Sequence, residues 1–187
     1  DYSLLCDCLM GGYAHSNAVH TNIVLDNVLS KDISSSYPTV MCLEKYPMTY
    51  FEETVPCDDY FNNDNYSYII TFDVEHLRSK RWNTWLSFSK CAKIKGYSLD
   101  NGRVLNADYV QLSLTNIDYE IFKLCYDFDN LNIIDFRISS NDYLSPTFVK
   151  YILELYGNKT TLKGIKEKEP LYMKSKQYIN SMYGMMV

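Results

Sequence analysis

The stretch NYSYIITFDVEHL, residues 65–77, points to the fold class because it predicts a β-strand near the middle of the chain. Aromatic and aliphatic side chains recur at every second position, at Tyr66, Tyr68, Ile70, Phe72 and Val74. A period of two places these side chains on the same side of an extended backbone. We therefore expect a strand with one buried face.

Other stretches predict further strands. In HTNIVLDNVLSKDIS, residues 20–34, two short apolar runs flank Asp26 and Asn27, which indicates a hairpin whose second run ends at Asp32. Asn101-Gly102 lies between apolar runs and predicts a tight hairpin turn. Strands are also expected in DYVQLSL and LNIIDFRI, residues 108–114 and 131–138.

Three stretches predict helices. TNIDYEIFKLCYDF, residues 115–128, has apolar residues at helical spacing, namely Ile117, Ile121, Leu124 and Cys125. Thr115 or Asn116 could cap the beginning of this helix. SPTFVKYILELYGN begins with the N-cap residue Ser145 and Pro146, and Gly157 predicts its end. Strands and hairpins followed by a helical pair predict an α+β fold, not alternating β-α-β units.

The last predicted helix begins near Leu171, after a lysine-rich connection broken by Pro170. One apolar stripe contains Tyr172, Ile179, Met182 and Met186. Another face carries Lys176, Asn180, Tyr183 and Gly184, at spacings that place them together. A cation beside a flat aromatic ring suits a nucleoside triphosphate, but an amphipathic helix with a hydrated edge explains the same pattern.

Composition limits the function without deciding it. The 187 residues are 47% hydrophobic and 22% charged, with a net charge of -5, which argues against a uniformly basic nucleic-acid binder. No apolar run is long enough to span a bilayer, and the scattered cysteines predict reduced thiols in the cytoplasm. The start at DYSLLCDC and the end at SMYGMMV lead us to expect a segment of a longer protein.

Two motifs resemble those of family B DNA polymerases. KQYINSMYG, residues 176–184, resembles the motif K-x-x-x-N-S-x-Y-G, and DISSSYP, residues 32–38, resembles D-x-x-S-L-Y-P with Ser36 in place of leucine. Three further features resemble the protein-primed branch of phages and plasmids: the long interval between the two motifs, the run at residues 107–128 and the Gly11-Gly12 pair.

This resemblance implies roles for the first motif. Asp32 would be the catalytic carboxylate that binds the divalent metals, and Ile33 would add its carbonyl oxygen. The cofactor would be Mg²⁺, two ions in the full-length enzyme, because hard cations prefer oxygen ligands. Tyr37 resembles the steric gate that stacks under the deoxyribose, with Ser35 as its polar partner.

The second motif would bind the incoming nucleotide. Lys176 resembles the triphosphate-binding lysine, whereas Asn180 and Tyr183 would line the base-pair pocket. Lys159 resembles a second phosphate-binding lysine. Gly11 and Gly12, together with Gly184, are expected to contact DNA, although Leu9 replaces the tyrosine of the family's Y-x-G-G turn.

The resemblance also implies a domain organisation. Residues 1–50 would be the N-terminal part of the palm, residues 51–143 an inserted β-rich subdomain that contacts the terminal protein, and residues 144–187 a two-helix fingers hairpin. The partners would be primer-template DNA, dNTP and the terminal priming protein, without a membrane.

The YDFDN stretch, residues 126–130, resembles the motif that supplies the second catalytic aspartate, but it stands in the wrong order along the chain. We expect Asp127 and Asp129 to be structural residues at a helix-to-strand turn. The segment would then lack the second carboxylate and would not polymerise alone. The alternative is a non-catalytic module that binds DNA or a terminal protein; a single-aspartate hydrolase is weaker, because no general base accompanies Asp32.

Overall fold

The structure is a computed structural model that describes residues 2–9, 12–13, 20, 22–33, 35–80 and 84–184, without the side chain of Tyr183. The chain divides into two compact units. Unit 1 comprises Asp1–Ile23 and Pro47–Asn141, and unit 2 comprises Val24–Tyr46 and Asp142–Val187. The boundaries drawn from the resemblance, at residues 50 and 143, stay a prediction.

Unit 1 is built on an antiparallel sheet whose central strand is β3 (Tyr66–Ser79). This strand pairs with β6 (Arg103–Thr115) on one side and β7 (Tyr126–Tyr143) on the other. Within unit 1 the strand order is β7-β3-β6-β4, and β2 and β5 pair with β7 and β6. The shorter strands are β1 (Lys45–Pro47), β2 (Glu52–Glu53), β4 (Cys91–Lys95) and β5 (Ser98–Asp100).

The predicted strand at residues 65–77 is confirmed, but more than one face of it is buried. Tyr68, Ile70, Phe72 and Val74 are buried as the period of two requires, and Ile69 between them is buried as well. The pairing with β7 shifts register between Glu75 and Arg78, where His76 has a φ of 50°. An irregularity of this kind changes which side chains face inward. Leu77 is therefore buried, although a strict period of two would bury only the even-numbered residues of this strand.

Helix α4 (Asn116–Cys125) covers the core of the sheet. Of the two predicted capping residues, Thr115 is the N-cap, because its side chain accepts a hydrogen bond from the backbone N–H of Asp118 at 3.3 Å. Only part of the apolar pattern that suggested the helix faces the core: Ile121 and Cys125 are half-buried, whereas Ile117 and Leu124 are 68% and 73% exposed. Tyr119 and Phe122 are buried instead, and both rings lie edge-on to Phe72 with centroids at 5.4 Å.

The remaining helices are α1 (Tyr2–Cys8), α2 (Ser36–Leu43), α3 (Asp58–Phe61), α5 (Pro146–Leu162) and α6 (Glu169–Gly184). Three of them, α2, α5 and α6, form unit 2 around a small core. The buried residues of this core are Met41, Ile152, Leu155, Ile179 and Met182.

One predicted hairpin is confirmed and the other is wrong. Asn101 and Gly102 have φ values of 46° and 74°, and Asp100 pairs with Arg103 across the turn. In contrast, no strand forms in residues 22–33, where Val24 is 91% exposed, so Asp32 does not follow a strand. A β-prone run forms a strand only where another strand completes its hydrogen bonds, and the described part of the chain supplies none here.

One predicted helix boundary is wrong, and another differs by two residues. Gly157 lies inside α5 rather than after it, and the hydroxyl groups of Thr160 and Thr161 bond to carbonyl groups one turn earlier. A glycine within a helix costs only about 1 kcal/mol, which the packing of Leu155 and Leu162 on either side offsets. The last helix begins at Glu169, with Pro170 in its first turn, where a proline is tolerated.

The YDFDN stretch is part of strand β7, not of a turn. Tyr126 is both the C-cap of α4 and the first residue of β7, and the pairing of β7 with β3 includes Asp127 and Asp129.

Among the described residues, no helix is long and apolar enough to cross a membrane. The α+β fold class is confirmed.

Candidate functional site

The segment that carries the first motif leads into helix α2 of unit 2. Asp32 is exposed, Ile33 is 77% exposed, and neither lies in a helix or strand. Ser35 then takes a left-handed backbone conformation, with φ 53° and ψ 46°, as the N-cap residue of α2. The motif therefore presents its carboxylate to solvent immediately before the chain becomes helical.

Helix α2 is anchored by its buried side and by hydrogen bonds at its beginning. Pro38 and Met41, one turn apart, are buried. The backbone N–H and the side-chain hydroxyl of Thr39 both donate to the carbonyl oxygen of Ser35, at 3.1 and 3.0 Å. Tyr37 is 56% exposed at the start of the helix.

Helix α5 carries Lys159 to the beginning of α2. The helix begins as predicted, because the Ser145 side chain accepts a hydrogen bond from the backbone N–H of Phe148 at 3.3 Å. Its buried stripe runs through Ile152 and Leu155, and the next position on this side is the half-buried Lys159. The Lys159 ammonium donates a hydrogen bond to the Ser35 hydroxyl at 2.9 Å.

Helix α6 presents the second motif on the flank of its buried stripe. Ser175, Ile179 and Met182 are buried, whereas Lys176 and Asn180 are exposed. Gly184 is the last residue of the helix, and a Cβ atom there would meet nothing within 4 Å. The side chain of Tyr183 and residue Met186 lie outside the described part.

The structure brings the two motifs into one unit although they are far apart in sequence. Unit 2 contains nine of the predicted site residues, namely Asp32, Ile33, Ser35, Tyr37, Lys159, Lys176, Asn180, Tyr183 and Gly184. Direct contact is made between Ser35 and Lys159. Gly12 belongs to unit 1 and is exposed, whereas Gly11 lies outside the described residues.

The donors available for a metal ion are few. The Asp32 carboxylate and the Ile33 carbonyl are oxygen ligands of the kind that Mg²⁺ prefers, and both residues are exposed. In the ranges that the structure describes, no group of three or more His, Cys, Asp or Glu side chains could hold a metal ion. These residues fit part of a Mg²⁺ site, and a complete site needs further ligands.

The two aspartates of YDFDN are engaged in ion pairs across the sheet of unit 1. Asp127 lies 3.4 Å from the Lys80 ammonium, and Asp129 lies 3.2 Å from His76 and 3.6 Å from Arg78. All these side chains are at least 38% exposed, so each pair contributes little to stability. The contacts are those of ordinary surface pairs between neighbouring strands.

The most strongly shifted pKa values in the described residues belong to unit 1. Burial raises the pKa of the Tyr126 phenol to about 12 and that of the Cys91 thiol to about 11. Burial and the nearby Asp7 raise the pKa of Cys8 to about 12. All six cysteines are free thiols. These shifts keep packed groups protonated and indicate core packing, not acid-base chemistry.

Sequence reasoning missed two features of the site. The link between Ser35 and Lys159 joins distant parts of the chain, and no local pattern signals it. The hydrogen bond from the Thr39 hydroxyl to the Ser35 carbonyl could have been predicted. Inside a helix, a threonine side chain is placed to bond to the carbonyl group four residues earlier.

No protein-family model matches the chain, and no curated protein matches it either. Solved structures of Phi29 DNA polymerase are similar. Its complex with primer-template DNA and incoming nucleotide substrates matches 82% of this chain with a TM-score of 0.60 and 21% identity. Its binary complex with primer-template DNA matches 82% with a TM-score of 0.60 and 22% identity.

The chain spans only about a quarter of the length of these polymerase chains, 25% and 24%. At this identity the likeness concerns the fold. The resemblance drawn from the two motifs is thus confirmed at that level: the chain has the fold of part of Phi29 DNA polymerase, a protein-primed polymerase of family B.

Proposed function

We propose that this chain is a segment of a template-directed DNA polymerase of the protein-primed kind, and that unit 2 contains part of its nucleotide site. The observation that carries the proposal is the assembly of the two motifs in unit 2. Ser35 of the first motif bonds to Lys159. Met41, just after that motif, shares a core with Ile179 and Met182 of the second.

The reaction would be attack of a primer or terminal-protein hydroxyl on the α-phosphate of a dNTP. Mg²⁺, when bound, would stabilise the charge on the reacting phosphate oxygens. Asp32 and Ile33 would contribute oxygen ligands, and Lys159 and Lys176 would bind the triphosphate. Positioned cations suit this task because the transferred phosphoryl group gathers negative charge on its oxygens in the transition state.

The remaining residues would select and align the substrates. Tyr37 would stack against the deoxyribose, while Asn180 and Tyr183 would line the space for the new base pair. Support for DNA and nucleotides as partners comes from the Phi29 polymerase complexes, which contain them. The terminal protein as a partner of residues 51–143, and Gly11, Gly12 and Gly184 as DNA contacts, rest on the motif resemblance.

Nucleotide binding tests the proposal directly. dATP with Mg²⁺ should bind the chain in a calorimetric titration, and Lys176→Gln should weaken the affinity about tenfold, the usual effect of losing a hydrogen bond between charged groups. Lys174→Gln is the matched control, because Lys174 lies over the ring of Tyr178 on the same helix and is exposed. Equal effects of the two changes would contradict the assignment of Lys176.

Two further outcomes separate the candidate functions. Binding of primer-template DNA without any binding of dATP would favour the non-catalytic module over the polymerase segment. The isolated chain should extend no primer in the presence of Mg²⁺, because one catalytic carboxylate cannot complete a two-metal site. Template-dependent extension by the chain alone would contradict the structural role given to Asp127 and Asp129.

A further inference from the structure

A hydrogen bond from the Lys159 ammonium to the Ser35 hydroxyl links two helices of unit 2. It joins the beginning of α2 to the last turns of α5 at a distance of 2.9 Å, and both residues are half-buried. A lysine on a helix surface normally samples many rotamers, and holding it in one of them costs side-chain entropy. The bond to Ser35 restricts Lys159 to fewer of these rotamers.

The backbone at Ser35 is unusual for a serine. Its φ of 53° lies in the left-handed region, which residues with a Cβ atom avoid. The two hydrogen bonds from Thr39 to its carbonyl oxygen stabilise this conformation. N-cap serines usually accept a hydrogen bond from their own helix, but the Ser35 side chain makes no such bond. Its hydroxyl oxygen therefore remains available to accept the bond from Lys159.

An ammonium group has three N–H donors. Its bond to Ser35 is the single hydrogen bond that it makes to the described residues, so two donors remain for oxygen atoms of a ligand. We infer that Ser35 is a positioning residue: it holds the Lys159 ammonium in place before a triphosphate arrives, so that binding does not have to order this side chain. Ordering a side chain in advance raises affinity by removing an entropic cost of association. The choice of a triphosphate as the ligand rests on the proposed function, whereas the positioning of Lys159 does not.

Lysine reactivity in the ligand-free chain tests the positioning itself. Ser35→Gly removes the hydroxyl and tolerates the left-handed backbone, so the start of α2 should keep its shape. Acetic anhydride labelling followed by mass spectrometry should show Lys159 reacting about fivefold faster in this variant, since one hydrogen bond is lost. Lys150, exposed on the same helix, is the internal reference and should react at an unchanged rate. An unchanged rate at Lys159 would overturn the inference.

Nucleotide affinity tests the consequence. Ser35→Gly should weaken dATP-Mg²⁺ binding about fivefold in the wild-type background and have no effect when Lys159→Gln is already present. Ser35→Asn should restore affinity, because asparagine tolerates the left-handed conformation and offers an acceptor oxygen. A purely structural role of Ser35 would weaken binding equally in both backgrounds and would leave the asparagine variant without rescue, which would also overturn the inference.

Failure of the proposed function has a different signature. If the wild-type chain binds neither dATP-Mg²⁺ nor inorganic tripolyphosphate, both the nucleotide site and the triphosphate role of Lys159 are wrong. The labelling rates in that case still decide whether Ser35 holds Lys159. If tripolyphosphate binds and dATP does not, the positioned lysine is a phosphate-binding group and the nucleotide site is wrong.

Discussion

The two units differ in the size of their buried cores and in how many candidate functional residues they contain. The main core cluster of unit 1 has fifteen described residues fully or nearly buried, whereas that of unit 2 has five. The candidate nucleotide and metal ligands are nevertheless in unit 2, most of them exposed. A large aromatic core supplies stability, and a small helical core leaves polar side chains available to ligands.

This comparison separates two kinds of substitution. Changes in the core of unit 1 should act on folding, since they remove packed apolar surface. Changes at the exposed residues of unit 2 should act on ligands and leave folding nearly unaffected. Each prediction below contrasts one of these sites with a matched control.

The largest effect is expected at Asp32 in a polymerase that contains this chain. Asp32→Ala should lower nucleotide incorporation at least about a thousandfold, because a metal clamp contributes several kcal/mol to transition-state stability. DNA binding and the unfolding midpoint should stay near wild type, since Asp32 is exposed. Primer extension, DNA binding and thermal unfolding measure these three properties.

Asp26→Ala is the control for that change, because Asp26 is an exposed carboxylate in the same segment. It should retain normal incorporation. Equal loss of incorporation and DNA binding in Asp32→Ala would indicate a folding defect in place of lost metal chemistry.

The second largest effect is expected in the core of unit 1. Phe122→Ala should reduce the free energy of unfolding by about 3 to 5 kcal/mol, because Phe122 is fully buried against Phe72 and Tyr126. Ile117→Ala on the same helix should change it by less than about 0.5 kcal/mol, since Ile117 is 68% exposed. Urea unfolding monitored by circular dichroism measures both.

Hydrogen exchange in the Phe122→Ala variant tests whether the two units unfold independently. We expect faster exchange of amides in β3 and β6 and little change in α5. Equal acceleration in α5 would mean that the two units unfold together, and that the contrast between a stabilising and a ligand-binding unit is wrong.

High pH should destabilise unit 1 through Tyr126. Its pKa is raised from 10.0 to about 12, because burial disfavours the phenolate. The folded state thus binds this proton more tightly than the unfolded state, and the resulting stability is complete below pH 10 and lost as the pH rises towards 12. This loss should amount to about 2 to 3 kcal/mol.

Tyr126→Phe isolates that contribution. The variant loses two hydrogen bonds, from the Leu86 N–H and to the Val104 carbonyl, at 3.2 and 2.7 Å, so it should be less stable at neutral pH. Its stability should fall less steeply at alkaline pH. Tyr50→Phe, at a position 85% exposed, should retain the wild-type slope, and a common slope for all three proteins would exclude Tyr126 as the source.

Local signals in the sequence predicted the features that a few neighbouring residues determine. The caps at Thr115 and Ser145 and the turn at Asn101-Gly102 are of this kind, and all three are confirmed. The strand predicted before Asp32 is wrong, because strand formation needs a partner that the segment itself cannot specify.

Other features depended on tertiary packing and could not be predicted. The buried face of α4 follows the aromatic rings that meet Phe72, not the spacing of Ile117 and Leu124. For the candidate site, the two sequence motifs indicated which residues to expect before the structure was known. The contact of Lys159 with Ser35 required the helices to be placed, since hydrogen bonds between distant residues have no local signal.

The smallest predicted effect compares the two confirmed caps directly. Thr115→Ala in unit 1 and Ser145→Ala in unit 2 each remove one side-chain acceptor, at 3.3 Å from a backbone N–H in both cases. Each change should cost about 1 kcal/mol locally. Because unit 2 has the smaller core, the same loss should be a larger fraction of its stability, and amides of α5 should exchange more rapidly in Ser145→Ala than those of α4 do in Thr115→Ala. Equal acceleration in the two helices would show that core size does not set the local stability of these units.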